Sequence, residues 1–322
     1  MLVVSLQILQ REKIMQSDNL APIVLFVYNR LWHTQQTVEA LQKNELASES
    51  ELFIYADGAK SEKANEQVSQ VRDHIKTIDG FKKITIIERD KNWGLADSII
   101  DGVTKIVNEY GDVIVLEDDI VTSPYFLRFM NSALEFYKDE EKVWHISGWN
   151  YPIEFTTDNE VYLYRVMNCW GWATWVENWN HFEKNTGKLI NEFSKKDIRA
   201  FNLDGRNNLW IQVLLNKYKK INTWAVYWYA SIFKQQGLCV NPIQSFVRNI
   251  GHDGSGVHCS DDSYVDNVVL NTNNHMQFVT NIEEDCAIVA QVKLYFKKQH
   301  KHIVVRIINK LTRLTIGKNL IK

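Results

Sequence analysis

The stretch that decides the fold is Asp112–Val121, with the sequence DVIVLEDDIV. It opens with a β-branched apolar run, which is typical of a strand buried on both faces of a sheet. Three consecutive acids follow, and crowding three carboxylates costs desolvation and mutual repulsion. A divalent cation offsets that cost, because Mg²⁺ and Mn²⁺ prefer hard oxygen ligands. The alternative interpretation is a solvated acidic turn ahead of Pro124.

Before this stretch, three other apolar segments each end in polar residues, with a helical pattern after each of them. Strand and helix therefore alternate four times, which predicts an α/β fold with a parallel, doubly wound sheet. Right-handed crossovers bring the carboxyl ends of such strands to one edge, where ligands of open α/β sheets bind. The apolar segments are Pro22–Tyr28, Leu52–Ala56 and Ile84–Glu88, followed by Asn29-Arg30, Asp57-Gly58 and Arg89-Asp90.

Composition excludes several classes of protein. The 322 residues carry a net charge of −2, so we expect no nucleic-acid partner. Neither GxGxxG nor GxxxxGK[ST] is present, which argues against a dinucleotide fold and a P-loop. The four cysteines form no CxxC pair, and no apolar run approaches a membrane span, so we expect a cytoplasmic protein with reduced thiols.

Several motifs occur in a fixed order along the chain. After Asn29-Arg30 and Asp57-Gly58 come NWGLA at Asn92–Ala96, the acidic motif within Val115–Phe126, and ISGWN at Ile146–Asn150. This ordered set resembles the GT-A glycosyltransferases, most closely the N-acetylglucosaminyltransferase I-like branch found in bacterial polysaccharide clusters. The later segments WGWATW, at 170–175, and 237–259 extend the resemblance over roughly residues 20–260.

The resemblance implies a GT-A fold, a Rossmann-like and mostly parallel central sheet flanked by helices. Residues 20–150 would form the nucleotide-sugar-binding half and residues 151–285 the acceptor-side half, with a basic amphipathic C-terminal tail at 286–322. The implied activity is metal-dependent sugar transfer, with inversion, in the synthesis of bacterial surface polysaccharide. The donor would be a nucleotide sugar, with UDP favoured, and the acceptor a glycan or lipid-linked saccharide.

The resemblance also assigns roles to individual residues. Asp119 would be the direct ligand of Mn²⁺ or Mg²⁺, and Asp118 would lie near the donor ribose. Asp57 would contact the donor base, unless it is only a turn residue before Gly58. The other residues placed in the nucleotide-sugar site are Arg30, whose alternative is a surface salt bridge, Asn92 and Trp149.

A glycine-rich loop at Gly251–His258 is the second chemical candidate. Its glycines let the backbone approach a phosphate closely or close as a lid. A histidine here could complete the metal shell or bind the diphosphate, and we favour His258 over His252. The alternative is a solvated surface histidine.

The general base is where the chain departs from the family pattern. An inverting transferase needs a carboxylate that deprotonates the acceptor hydroxyl. Related sequences place an acid after a tryptophan where this chain has Trp224-Ala225. The replacement candidates are Asp253, Glu177 and Asp204, and the residues expected to line or brace the acceptor side are Trp170, Trp172 and Trp175.

The last segment of the chain is basic. Residues 286–322 contain no acid and alternate Lys and Arg with apolar residues, which suits peripheral contact with an anionic membrane or, equally, a docked helix with a solvated basic face. Two alternative functions remain open from the sequence: a non-catalytic sugar-binding protein and a sugar nucleotidyltransferase.

Overall fold

A computed structural model describes residues 20–253 and 268–298. It divides the chain into two compact units. The first contains residues 20–152, 158–184, 222–253 and 268–284, and therefore joins residues from both predicted halves. The second contains residues 153–157, 185–221 and 285–298.

The core of the first unit is an eight-stranded sheet in which four of the seven strand pairs are parallel, within the part of the chain that the structure describes. This confirms the predicted α/β fold with a mostly parallel sheet. The central strands are buried on both faces, as their continuous apolar runs predict. The strands are β1 (Ile23–Val27), β2 (Glu51–Ala56), β3 (Lys83–Glu88), β4 (Asp112–Glu117), β6 (Val143–Ser147), β7 (Val161–Tyr164), β8 (Trp172–Trp175) and β9 (Leu238–Pro242).

The strand order is β3-β2-β1-β4-β8-β6-β9-β7. The chain moves outward from β1 to β3 and then returns to place β4 on the other side of β1. The crevice between the carboxyl ends of β1 and β4 is therefore the topological switch point, where open α/β sheets bind their ligands. Arg30 follows β1 and Asp118 follows β4, so the sequence delivers both residues to this crevice.

A short second sheet continues from the acids. It pairs β5 (Ile120–Thr122) antiparallel with β10 (Val247–Asn249), with Asn249 opposite Ile120. This pairing brings Gly251 and the two residues after it to the acids, although they are more than 130 positions away in the sequence.

The helices of the first unit cover the sheet. The longest, α3 (Leu95–Tyr110), places Ile99, Val103 and Ile106 in the core at three- and four-residue steps. None of the helices in the described ranges is long and apolar enough to cross a bilayer. The helices of this unit are α1 (Leu31–Gln42), α2 (Asn65–Ile75), α3 (Leu95–Tyr110), α4 (Phe126–Tyr137), α5 (Val176–Trp179) and α9 (Ala225–Lys234).

The second unit is helical, with α6 (Thr186–Glu192), α7 (Lys195–Phe201), α8 (Trp210–Lys217) and a helix at 286–298. That last helix is the described part of the predicted basic tail. Its residues Ile288, Val289 and Val292 are buried, so this portion has a packed apolar face. Residues 299–322, which carry the rest of the predicted tail, lie outside the described residues.

Candidate active site

Arg30 joins the two acids that follow β4. Its Nη2 donates to Asp118 Oδ1 and, at 2.8 Å, to Asp119 Oδ2, while its Nε lies 3.4 Å from Asp118 Oδ2. Both carboxylates are about 5% exposed. The arginine is thus the internal cation that allows two adjacent acids to be buried at the switch point. Asp118 and Asp119 therefore lie together there with Arg30, and their ribose, metal and nucleotide roles stay predictions.

Backbone contacts hold the acids from both sides. The Thr37 hydroxyl on α1 donates to the Asp118 carbonyl at 2.9 Å, and the Ile250 N–H donates to the Asp119 carbonyl at 2.9 Å. Gly251 then passes directly over Asp119: a Cβ added there would lie 2.1 Å from Oδ2. Only glycine permits this approach without displacing either the carboxylate or the loop.

His252 follows Gly251 in the same loop. Its ring packs edge-to-face on Trp170, at 5.4 Å between centroids, and Trp170 packs on Trp149 at 4.8 Å. Both ring nitrogens of His252 are buried and have no hydrogen-bond partner among the described residues, and the same holds for Asp119 Oδ1. Unpaired buried polar atoms are costly, so their concentration here indicates groups that await a ligand. We call Arg30, Asp118, Asp119, Gly251 and His252 the acidic edge.

The sequence favours the other histidine of this loop, His258, as the metal or diphosphate ligand. His258 lies outside the described residues, whereas His252 is the one that the structure brings to Trp170. Gly251 stands immediately before His252, but Gly254 and Gly256 lie in the same loop, so the glycines alone do not distinguish the two histidines in the sequence.

Asp253, one of the three base candidates, lies beside the acidic edge. Its Oδ2 is 3.2 Å from His33 Nε2, which is ion-pair distance although outside hydrogen-bond geometry. His33 is buried on α1, three residues after Arg30. The first turn of α1 and the loop that contains Gly251 therefore meet through this pair.

The electrostatics of the crowded acids follow from burial. Burial, followed by the charges of Asp119 and Asp118, raises the pKa of Glu117 to about 8. Burial also raises the pKa of Asp118 to about 6, although Arg30 opposes the shift. For Arg30, burial alone would lower the pKa, but the charges of Asp118 and Asp119 raise it above its usual value. Without further positive charge, the edge holds more acid than one arginine neutralises.

The donor set can be tested against a divalent cation. Within the described residues, no group of three or more His, Cys, Asp or Glu side chains is placed to hold a metal. A complete protein cage is not needed, however, since Mg²⁺ is often held by one or two carboxylates plus substrate phosphates. The unpaired Asp119 Oδ1 fits such a partial shell, and the two nitrogens of His252, in the loop that passes over Asp119, are also unpaired among the described residues.

Asp57 holds a second loop at the same sheet edge. Its two carboxylate oxygens accept from Gly58 N, Asn92 Nδ2, Trp93 N and Gly94 N, at 2.8 to 2.9 Å. Asn92 thus also contacts Asp57, and its own amide additionally donates to the Gly58 carbonyl at 2.8 Å. The predicted contacts of Asp57 and Asn92 with the donor stay predictions.

The structure corrects the expectation for Glu177. Trp175 pairs with Asp112, and Glu177 contributes to the raised pKa of Asp112, so it lies at the amino end of β4. At about 3.3 Å per residue, the five steps from Asp112 to Glu117 separate the two ends by roughly 17 Å. Glu177 therefore cannot reach a substrate at the acidic edge. Asp204 belongs to the second unit, where it pairs with Lys293.

The expected acceptor-side tryptophans separate into two groups. Trp170 is partly exposed and contacts His252. Trp172 is 1% exposed and stacks on Trp224 at 5.1 Å, and Trp175 is buried at the far end of β8. Trp172 and Trp175 are buried core residues, so they do not line an acceptor surface, and the expectation that they brace one stays a prediction.

The open, mostly parallel sheet, with two acids and an arginine at its switch point, agrees with the GT-A fold expected from the sequence. A profile of the GNT-I family matches residues 3–188, more than half of the 322 residues, and the chain belongs to the GNT-I family. A comparison with curated protein sequences found no match.

Solved structures similar to the chain are distant. They include the mannosyltransferase PcManGT from Pyrobaculum calidifontis in complex with GDP-Man and Mn²⁺, with 12% identity, a TM-score of 0.41, and coverage of 72% of this chain and 76% of that chain. A UDP-glucose pyrophosphorylase complexed with UDP-glucose has 10% identity, a TM-score of 0.34 and coverage of 69% and 90%. An active-site mutant of LgtC has 8% identity, a TM-score of 0.33 and coverage of 65% and 69%. These similarities are too low to bear on function.

Proposed function

We propose that this glycosyltransferase moves a sugar from a nucleotide-sugar donor, with UDP favoured, to a glycan or lipid-linked saccharide, with inversion and with Mn²⁺ or Mg²⁺. The observation that carries the proposal is the acidic edge itself. Asp119 has a buried, unpaired Oδ1 at the switch point. Arg30 donates to its other oxygen, and the backbone of Gly251 lies so close to the carboxylate that no larger residue fits there.

In this proposal Asp119 would hold the cation, with His252 as the candidate second ligand, and the cation would neutralise charge on the leaving diphosphate. Arg30 keeps Asp118 and Asp119 oriented before the donor arrives. Trp170 packs against the His252 ring, and Trp149 packs against Trp170. The chain supplies preorganised charge, so little rearrangement is needed when negative charge develops.

The base in this proposal is Asp253. The acceptor hydroxyl attacks the anomeric carbon, its proton passes to the Asp253 carboxylate, and the bond from that carbon to the diphosphate oxygen breaks. Among the three candidates from the sequence, Asp253 alone contacts the surroundings of the acidic edge in the described first unit.

Donor hydrolysis tests the function most directly. Purified protein is incubated with UDP-, GDP-, CMP- and dTDP-sugars, each with Mn²⁺ and with EDTA, and the released nucleotide is measured. We expect slow release of one nucleotide that requires the metal. Pyrophosphate-dependent formation of a nucleoside triphosphate would instead identify a sugar nucleotidyltransferase. Binding of sugars without any donor binding would identify a sugar-binding protein.

We further propose the cytoplasmic face of a bacterial membrane as the place of action, in surface polysaccharide synthesis. The basic composition of residues 286–322 supports this proposal. Sedimentation with anionic vesicles tests it: a variant truncated after residue 298 should lose binding that the full chain shows, and equal binding by both would refute it.

A further inference from the structure

The loop at 92–94 is fixed to the loop at 57–58 by an unusual number of contacts. Asp57 accepts four hydrogen bonds, three of them from Asn92, Trp93 and Gly94. Gly58 lies so close to Lys91 that an added Cβ would be 2.4 Å from the Lys91 carbonyl carbon. A contact that tight leaves the two loops little freedom to move independently.

Arg72 on α2 contacts both of these loops. Its Nη2 donates to the carbonyl oxygens of Asp57, at 3.3 Å, and of Arg89. The ends of β2 and β3 are thus joined through side chains as well as through the sheet. A surface built this rigidly loses little conformational entropy when it binds a ligand.

Trp93 is the side chain that this arrangement positions. The Arg89 guanidinium lies 3.9 Å from the centroid of the Trp93 ring and 5.1 Å from that of Tyr55, and it pairs with Asp101. Trp93 is partly exposed, and no other ring or cation packs against it among the described residues. With Arg89 against one face, the opposite face is the broad surface that the indole can offer to a ligand.

The position relative to the acidic edge identifies the ligand chemistry. Neighbouring strands lie about 4.8 Å apart, so the ends of β2 and β3 are roughly 10 to 15 Å from the end of β4. If Asp118 and Asp119 hold the diphosphate end of the donor, its nucleoside extends over a span of this size. A flat aromatic surface there suits a planar base.

We propose that Trp93 is the surface on which the base of the donor nucleotide stacks, and that Asp57 is a positioning residue that acts through it. All of the hydrogen bonds that Asp57 makes hold its own loops, so the carboxylate orients Trp93 instead of reading the base. This inference rests on the proposed nucleotide-sugar donor and assigns its base-binding residue.

Trp93→Leu and Trp93→Phe form a matched pair, because both cover Arg89 and only one keeps an aromatic face. Dissociation constants for a nucleoside diphosphate and for inorganic pyrophosphate, each with Mn²⁺, are measured by calorimetry. We expect Trp93→Leu to weaken the nucleoside diphosphate about 5- to 150-fold, Trp93→Phe to weaken it less, and pyrophosphate binding to stay within about twofold. Tyr110→Leu is the control, since Tyr110 lies by Glu51 at the opposite edge of the sheet.

Asp57→Asn then separates positioning from direct reading. If Asp57 acts through Trp93, the variant weakens uridine, cytidine and guanosine diphosphates alike, and it adds little when combined with Trp93→Leu. A changed ranking of the bases, with full additivity, would make Asp57 the reader and overturn the inference. Wild-type affinity of Trp93→Leu, or equal loss of pyrophosphate, would also overturn it. Failure of the wild-type protein to bind any nucleotide would instead overturn the proposed function.

Discussion

Two regions of the molecule concentrate polar or aromatic side chains: the acidic edge and a tryptophan cluster. The tryptophan cluster comprises Trp172, Trp179, Trp224, Trp228 and His145. The two regions differ in how completely their polar atoms are paired. In the cluster, His145 accepts from Trp228 Nε1 at 3.2 Å and contacts the Asn168 carbonyl at 2.9 Å. At the acidic edge, Asp119 Oδ1 and both nitrogens of His252 have no partner in the described ranges.

The difference separates a packed core from a binding site. Burial lowers the pKa of His145 to about 3, so its ring is neutral and serves as a flat, hydrogen-bonded core residue against Trp172. The acidic edge instead retains excess negative charge and unpaired atoms, which a folded protein tolerates where a ligand completes the site. In this protein the concentrated tryptophans form packed core, whereas the buried polar atoms without hydrogen-bond partners mark the candidate binding site.

The largest effect should come from Asp119→Asn, which removes the carboxylate while keeping the side chain's shape. We expect metal-dependent turnover to fall a thousandfold or more, because the cation and leaving group lose their principal contact. Asp112→Asn is the matched control at the other end of β4 and should change kcat/KM less than about twofold. If the Asp119 variant turned the donor over at the wild-type rate, Asp119 would not be the metal ligand. The contrast between the acidic edge and the tryptophan cluster would then no longer separate a binding site from a core.

Trp172→Ala should act on stability and spare catalysis. Trp172 is 1% exposed and packs against Trp224, Trp179 and His145, so we expect about 3–5 kcal/mol lower free energy of unfolding in urea. The protein that remains folded should keep its donor affinity within about twofold. A large loss of affinity in fully folded protein would mean that the cluster belongs to the site after all.

The sequence was sufficient for the sheet, because buried strands and amphipathic helices carry strong local patterns. It also predicted the grouping of Arg30 with Asp118, since parallel strands bring their carboxyl ends together. It could not distinguish the partly exposed Trp170 from the buried Trp172, because alternate residues of one short strand region differ only in what packs on them. Nor could it place His252 or Glu177, whose positions depend on the β5–β10 pairing and on the direction of β8.

Gly251→Ala tests the closest contact of the acidic edge. The added methyl group would lie 2.1 Å from Asp119 Oδ2, so the loop or the carboxylate must move. We expect kcat/KM to fall about tenfold to a hundredfold, since displacement of about 1 Å is costly in a preorganised site. Gly187→Ala on α6 is the control, because its added Cβ meets only Asn185 Oδ1 at 3.7 Å. If both variants kept full activity, the loop would not need to pass this close to Asp119.

The smallest effect should come from Glu177→Gln, and it tests the geometry that removed Glu177 from the base candidates. Glu177 neighbours Asp112 at the amino end of β4, roughly 17 Å along the strand from the acids. We expect kcat to change less than about twofold, whereas Asp253→Asn should lower kcat with little change in KM, as loss of a base requires. A large fall in kcat for Glu177→Gln, with Asp253→Asn unaffected, would assign the proton transfer to Glu177. The reaction would then have to take place away from the switch point, and the unpaired atoms of the acidic edge would need another explanation.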